Sequence, residues 1–319
     1  MPVNAFIFPG QGSQSVGMGQ DLAAAFGAAR DVFDEVDETL GQRLSKLMFE
    51  GPTEELTLTE NAQPALMAVS LAVMRVLERE GGLVLPQKAA LVAGHSLGEY
   101  SALAAAGSLQ LAETARLLRL RGTAMQRAVP AGEGAMAALL GTELEQAAEI
   151  CREAATDPET GAHQVVQPAN DNGGGQVVIS GHKAAVERAI EISRARGIKR
   201  AMLLPVSAPF HCALMAPAAD AMAEALATAA ITAPLVPVVA NVSAAKATDP
   251  AAIRTLLVEQ VTGLVRWRES VQAMVSMGVD TFIEIGAGRV LAGLVRRIAP
   301  EATTRSIGTP AEIEDFLKG

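Results

Sequence analysis

A serine set between two glycines, GHSLG at 94–98, closes an apolar run and opens a helix-like one. A chain can pass from buried strand to helix this abruptly only where side-chain bulk is missing. Gly94 and Gly98 supply that freedom, and Ser96 stands at the apex with its hydroxyl presented outward. The amide that follows points into the same space, and the start of the helix aims its dipole there too. The feature therefore demands an α/β arrangement in which a strand feeds a helix. Tight turns of this kind also occur without chemistry, and G-x-S-x-G arises by chance in roughly one chain in ten of this length. The remaining residues must decide between the two.

The pattern on either side supports a larger α/β unit. Ala5 to Phe8 reads as a buried strand running into the glycine-rich loop PGQGSQ at 9–14. Helical patterns follow over 21–40 and 63–80, Ala89 to Ala93 is a buried strand, and Leu97 to Ala106 and Leu111 to Arg127 are helices. From Gly134 the texture changes: strand 135–140, helix 142–155, strands 164–168 and 176–180 around NDNGGG, helix 183–196 and strand 198–204. This β-α-β-β-α-β order is the ferredoxin-like pattern, so 132–203 is expected as a small subdomain inserted into a domain made of 1–131 and 204–319. Helices near 213–229, 250–261, 268–277 and 289–298, with strands at 236–240 and 281–285, complete the larger unit. Asp249 before Pro250 is a helix start with its own cap.

Charge and composition exclude other classes. A net charge of −9 over 319 residues opposes general binding to nucleic acid or an anionic membrane, although a local basic patch remains open. No stretch approaches the roughly 20 apolar residues of a membrane span, and MPVNAFIFPG lacks a charged leader. Cys151 and Cys212 form no disulfide framework and no zinc-ligand spacing, which points to a reduced cytoplasm and no metal. With aromatic residues at only 3%, the core must be built from Ala, Val, Leu, Ile and Met.

A nucleophilic serine needs a base, and four histidines are present. His95 adjoins Ser96, where neighbouring side chains diverge. His163 and His182 fall in polar or turn segments and are expected to be exposed. His211, in VSAPFHC at 206–212, lies between a strand and a helix, a setting suited to a positioned catalytic group, though a lone histidine is more often structural.

FPGQGSQ at 8–14, GPTEEL at 51–56 with NAQPA at 61–65, GHSLGEY at 94–100, RGTAMQ at 121–126 and the Pro-Phe-His run ending at His211 occur in one order along the chain. Together they resemble the malonyl-coenzyme A:acyl carrier protein transacylases over essentially the whole sequence. The resemblance implies an α/β-hydrolase-like large domain with the ferredoxin-like insertion, and malonyl transfer through a malonyl-serine for fatty-acid synthesis. Ser96 would be the nucleophile and His211 its base, with the Gln11 and Leu97 amides forming the oxyanion hole. The Gln260 main-chain carbonyl would orient His211.

Arg121 would bind the free malonyl carboxylate, with Gln63, Phe210 and Asn170 beside the pocket. By spacing alone Arg121 is a solvated charge near Arg116, Arg119 and Arg127, and Gln260 a surface glutamine near a helix end. In acyltransferase domains that resemble this chain, phenylalanine before the histidine goes with malonyl and serine with methylmalonyl, so the resemblance implies malonyl, a discrimination of roughly 1–3 kcal/mol. The expected partners are acyl carrier protein and malonyl-CoA, with a monomer as the default state. Since carrier proteins are acidic, Lys199 and Arg200, then Arg289 and Arg296, are candidate docking cations or ordinary solvated charge. A serine hydrolase, a polyketide-pathway acyltransferase and an inactive carrier-binding protein are the alternatives. The first leaves Arg121 unexplained, and the last leaves Ser96, His211 and Arg121 without a reason to coincide.

Overall fold

A computed structural model of the chain describes residues 3–198 and 200–318. It is a mixed α/β structure with ten strands among the described residues: β1 (Asn4–Phe8), β2 (Leu91–Gly94), β3 (Gly134–Leu140), β4 (Val166–Asp171), β5 (Gln176–His182), β6 (Arg200–Leu203), β7 (Val238–Val239), β8 (Lys246–Ala247), β9 (Thr281–Ile285) and β10 (Thr303–Ile307). The six-stranded sheet runs β10-β9-β1-β2-β7-β8 and is parallel apart from the β7–β8 pair. Its central strands β1 (NAFIF) and β2 (LVAG) read as nearly continuous apolar runs, as strands buried on both faces do.

From β1 the chain goes to β2 on one side and later to β9 on the other. The carboxyl ends of these neighbours therefore diverge and leave a crevice, the usual ligand position in open α/β sheets. Three loops open there: the glycine-rich loop after Phe8, the serine turn after Gly94, and the segment 286–289 after Ile285.

The second sheet is antiparallel, with order β4-β5-β3-β6. Side chains on a strand alternate between faces, and here each face has its own partner. Ala137, Leu139, Val177 and Ile179 pack with the helices Leu144–Ala154 and Lys183–Ala195, whereas Met136, Val178 and Ala169 join the main core. The small sheet is thus a wall of the same crevice.

Several expected elements differ. The helix expected over 21–40 is two, Gln20–Ala25 and Gly27–Leu40, because Phe26 is extended. The helix expected over 63–80 spans Thr59–Arg79 and carries Pro64 inside it. The structure adds β10, whose TTRSI lacks an apolar run because it lies at the sheet edge, and the helix Pro310–Lys318. Asp249 does cap the helix Pro250–Thr262, accepting from the Ala252 amide at 2.8 Å. Among the described residues no helix is long and apolar enough to cross a membrane. Cys151 and Cys212 are free and buried.

Candidate active site

The serine turn is built by close approach. A Cβ on Gly94 would lie 1.9 Å from the Gly98 carbonyl group, and one on Gly98 would lie 2.2 Å from the Phe8 carbonyl oxygen. The expected bending freedom is instead needed at Ser96 itself, whose φ is 54°. A non-glycine residue in that region stores strain, held here by hydrogen bonds from the turn to its surroundings. The Ser96 amide donates to Asn241 Oδ1 at 2.7 Å, and Asn241 Nδ2 donates to Gly94 O at 2.7 Å. Gly94→Ala should cost about 3 kcal/mol or more, because backbone must move to admit the methyl group. Gly293→Ala, where a Cβ meets nothing within 4 Å, is the control and should stay within about 1 kcal/mol of the parent. Urea midpoints of the two variants check this.

His211 also has a positive φ, 57°. Its Nε2 lies 2.7 Å from Ser96 Oγ and its Nδ1 2.9 Å from the Gln260 main-chain oxygen. A carbonyl can only accept, so Nδ1 carries the proton and Nε2 is left to accept from the serine hydroxyl. Burial, then the neighbouring Arg121 cation, hold the imidazole pKa down to about 3.

Arg121 is buried, being only 1% exposed, unlike Arg116, which is open to water and paired with Glu113. Gly122, its neighbour, makes the burial possible: a Cβ there would lie 2.6 Å from Glu60 Cα, so the helices Leu111–Arg127 and Thr59–Arg79 approach closely. Gln63 is carried in with the second helix. The guanidinium donates to Gln63 Oε1 at 2.8 Å, Gln260 Oε1 at 2.8 Å and Ser96 Oγ at 3.1 Å, and lies over the Tyr100 ring. Among the described residues no carboxylate stands within ion-pair distance of it, and its Nε is buried without a partner. A buried cation surrounded by neutral oxygens is a receptor for an anion.

A cleft of about 700 Å³ runs over these groups. Gln11, Gln63, Ser96, Leu97, Arg121, Asn170, Phe210 and His211 all line it, whereas Gln260 lies fully buried behind. The Gln11 and Leu97 amides donate to no other group among the described residues, and the Gln11 side chain turns to Thr59 Oγ1 at 3.2 Å. Asn170 sits at a register shift in β4 and is bridged to Val265. Phe210 is buried and contributes to the cleft wall. Met125, Met136 and Val178 add apolar wall.

His95 is half-buried at the cleft, and its Nε2 meets Asn172 Oδ1 at 2.9 Å instead of the serine hydroxyl. His163 is exposed as expected, but His182 is half-buried and its Nδ1 accepts from the Val165 amide at 2.9 Å. Of the docking candidates, Lys199 lies outside the described residues and Arg200 is exposed on the edge strand β6. Arg289 lies at the cleft and pairs with Glu312 at 2.6 Å, and Arg296 donates to Thr304.

Three contributors escaped the sequence reading. Asn241 and Asn172 are polar residues at strand ends, and nothing local separates them from ordinary turn residues. Glu99 is a charge in the first turn of a helix, where a solvated residue is the normal expectation. Its actual setting is 2% exposed, and burial pushes its carboxyl up to about 7.

The acyl transferase domain profile matches residues 5–309. The malonyl CoA-acyl carrier protein transacylase of Salmonella typhimurium is 48% identical over 98% of both chains. An acyl-carrier-protein S-malonyltransferase from Bartonella henselae superposes with a TM-score of 0.95 at 57% identity, covering 99% of this chain and 98% of that one. A malonyl-transacylase solved in complex with its type II polyketide acyl-carrier protein gives a TM-score of 0.93 at 45% identity, with 99% of each chain covered.

Proposed function

The chain belongs to the acyl transferase domain family, and we propose that its malonyl transfer, from malonyl-CoA to acyl carrier protein, runs through an ester on Ser96. The observation that carries this reading is the contact of Ser96 Oγ with both a neutral imidazole nitrogen at 2.7 Å and a buried guanidinium at 3.1 Å. The first can take a proton, and the second can hold an acyl group that ends in a carboxylate.

In the first half-reaction His211 Nε2 takes the Ser96 proton while Oγ attacks the thioester carbonyl carbon. The oxyanion is held by the Gln11 and Leu97 amides until the carbon–sulfur bond breaks. The imidazolium then returns its proton to the departing thiolate of coenzyme A, and malonyl-serine remains. In the second half the carrier's phosphopantetheine thiol enters, gives its proton to His211 and attacks the ester. As the carbon–oxygen bond breaks, the imidazolium returns that proton to the departing Ser96 Oγ, which restores both the hydroxyl and the neutral base. Base catalysis and oxyanion binding each contribute roughly 100-fold or more.

Malonyl is oriented by two charge-assisted hydrogen bonds to Arg121, with Gln63 and Asn170 beside it and the Phe210 ring limiting space for an α-branch. The strand, serine turn and helix on a mostly parallel sheet support an α/β-hydrolase-like reading of 1–131 and 204–319, with 132–203 as a ferredoxin-like insertion. Cytoplasmic fatty-acid synthesis is the setting this reading favours. Intact mass after mixing with malonyl-CoA, without acceptor, tests the intermediate: one malonyl adduct is expected, whereas steady release of coenzyme A without an adduct would mean a hydrolase.

The pH profile follows from the imidazole. A group whose pKa is lowered to about 3 stays neutral, and able to accept a proton, far below the ordinary midpoint near 6.5. The kcat/KM for loading should therefore hold level from about pH 8 to about pH 5. A tenfold fall per pH unit beginning near 6.5 would show an unshifted imidazole and contradict the assignment.

A further inference from the structure

Glu99 has no place in the transfer chemistry, yet it is buried at the centre of the polar network under the serine turn. Its Oε2 accepts from the Asn241 amide at 3.0 Å and from Gln260 Nε2 at 2.9 Å. Gln260 Nε2 also faces Ser96 O at 2.9 Å and Asn241 Oδ1 at 3.3 Å. At the other end of the same amide, Gln260 Oε1 accepts from Arg121 at 2.8 Å. The amide therefore stands between a carboxyl group and a guanidinium, and its two ends are not interchangeable. Reversed, it would turn an oxygen toward three oxygens and an NH2 group toward a cation.

We propose that Glu99 is a positioning residue for acyl-group selection: by accepting from Gln260 Nε2 it fixes the direction of that amide, and so the place of the Arg121 guanidinium that receives the malonyl carboxylate. The proposal rests on the reading of Arg121 given above. The contact at 3.3 Å is long, and Ser96 O uses only one of the two amide protons. Without Glu99 the second proton has no good acceptor, and the Asn241 amide is left buried and unpaired as well. Arg121 then loses a fixed partner on one side while Gln63 still holds the other. The acceptor oxygen exists in a carboxylate, a carboxylic acid and a glutamine alike, so acceptor geometry is the operative property.

The test compares loading of malonyl-CoA and acetyl-CoA by the full chain, with stopped-time intact mass giving the rate of each. Glu99→Ala should lower the malonyl-to-acetyl preference about tenfold, the size of one lost buried hydrogen bond, with the loss appearing in the malonyl KM. Glu99→Gln keeps the acceptor and should recover the preference to within about threefold of the parent. Gln260→Met leaves the main-chain carbonyl facing His211 and should match Glu99→Ala, and the double variant should fall no further than either alone.

A folded Glu99→Ala protein with the parental preference would overturn the proposal, as would Glu99→Gln falling as far as Glu99→Ala. If Glu99→Ala does not fold, a parental preference in Gln260→Met overturns it instead. Arg121→Ala runs alongside. If that variant too keeps the parental preference, the carboxylate reading itself has failed; if it alone collapses, only the role of Glu99 has.

Discussion

Ser96→Ala will carry no malonyl adduct, and its transfer rate will fall on the order of 10⁴- to 10⁶-fold, the range seen when the nucleophile of a coupled serine–histidine pair is removed. The geometry makes this loss complete for covalent turnover. Ser96 Oγ is the atom shared by His211 Nε2 and Arg121, and the other residues that line the cleft offer no second hydroxyl against the imidazole. The oxyanion amides and the Arg121 guanidinium remain, so malonyl-CoA should still bind with little change in affinity. Binding without an adduct separates removal of the nucleophile from collapse of the site, and isothermal titration alongside intact mass reads both. A malonyl adduct on the Ser96→Ala protein would refute the assignment of the nucleophile.

Arg121→Ala is expected to reverse the choice of acyl group. Malonyl loading should fall about 100- to 1,000-fold, since the free carboxylate would enter a buried space without its cation, and breaking one partner of such a pair costs about 3–5 kcal/mol. Acetyl loading should rise. In the parent protein an acetyl group leaves a desolvated guanidinium unpaired, with only Gln63, Gln260, Ser96 and the Tyr100 ring around it, and the alanine variant removes that penalty. Arg121→Lys should fall between the two, because an ammonium keeps the charge but cannot form two parallel bonds to a carboxylate. Competition between malonyl-CoA and acetyl-CoA, read by mass, gives the ratio directly. An unchanged ratio in Arg121→Ala would mean that the carboxylate is recognised elsewhere.

How far these residues could be read from sequence depended on the range of the signal. The serine turn, the apolar strands before and after it, and the order of elements from 134 to 203 follow local rules of spacing and turn chemistry, and the element boundaries lie within a few residues of those expected. Pairing was not local. Spacing made Arg121 a solvated helix charge and Gln260 a surface residue, and both are buried, Arg121 at the floor of the cleft and Gln260 behind it. The resemblance singled out both of them, but not Glu99, Asn241 or Asn172. These three act through partners far along the chain: Asn241 receives the Ser96 amide across 145 positions, and Gln260 reaches Glu99 across 161.

Local signals in the sequence alone were enough to place a sharp strand-to-helix turn at Ser96, an α/β fold with a run of short alternating elements after Gly134, and His211 as the best placed of four histidines. Periodicity and glycine content suffice for that, because each acts within a few residues. Tertiary structure alone decided which charges lose their water. The close crossing at Gly122 buries Arg121 beside Gln63, and the helix Pro250–Thr262 brings Gln260 between Arg121 and Glu99. Desolvation is a property of that enclosure, and on the proposed reading it is what suits Arg121 to receive a carboxylate and keeps His211 neutral enough to accept a proton.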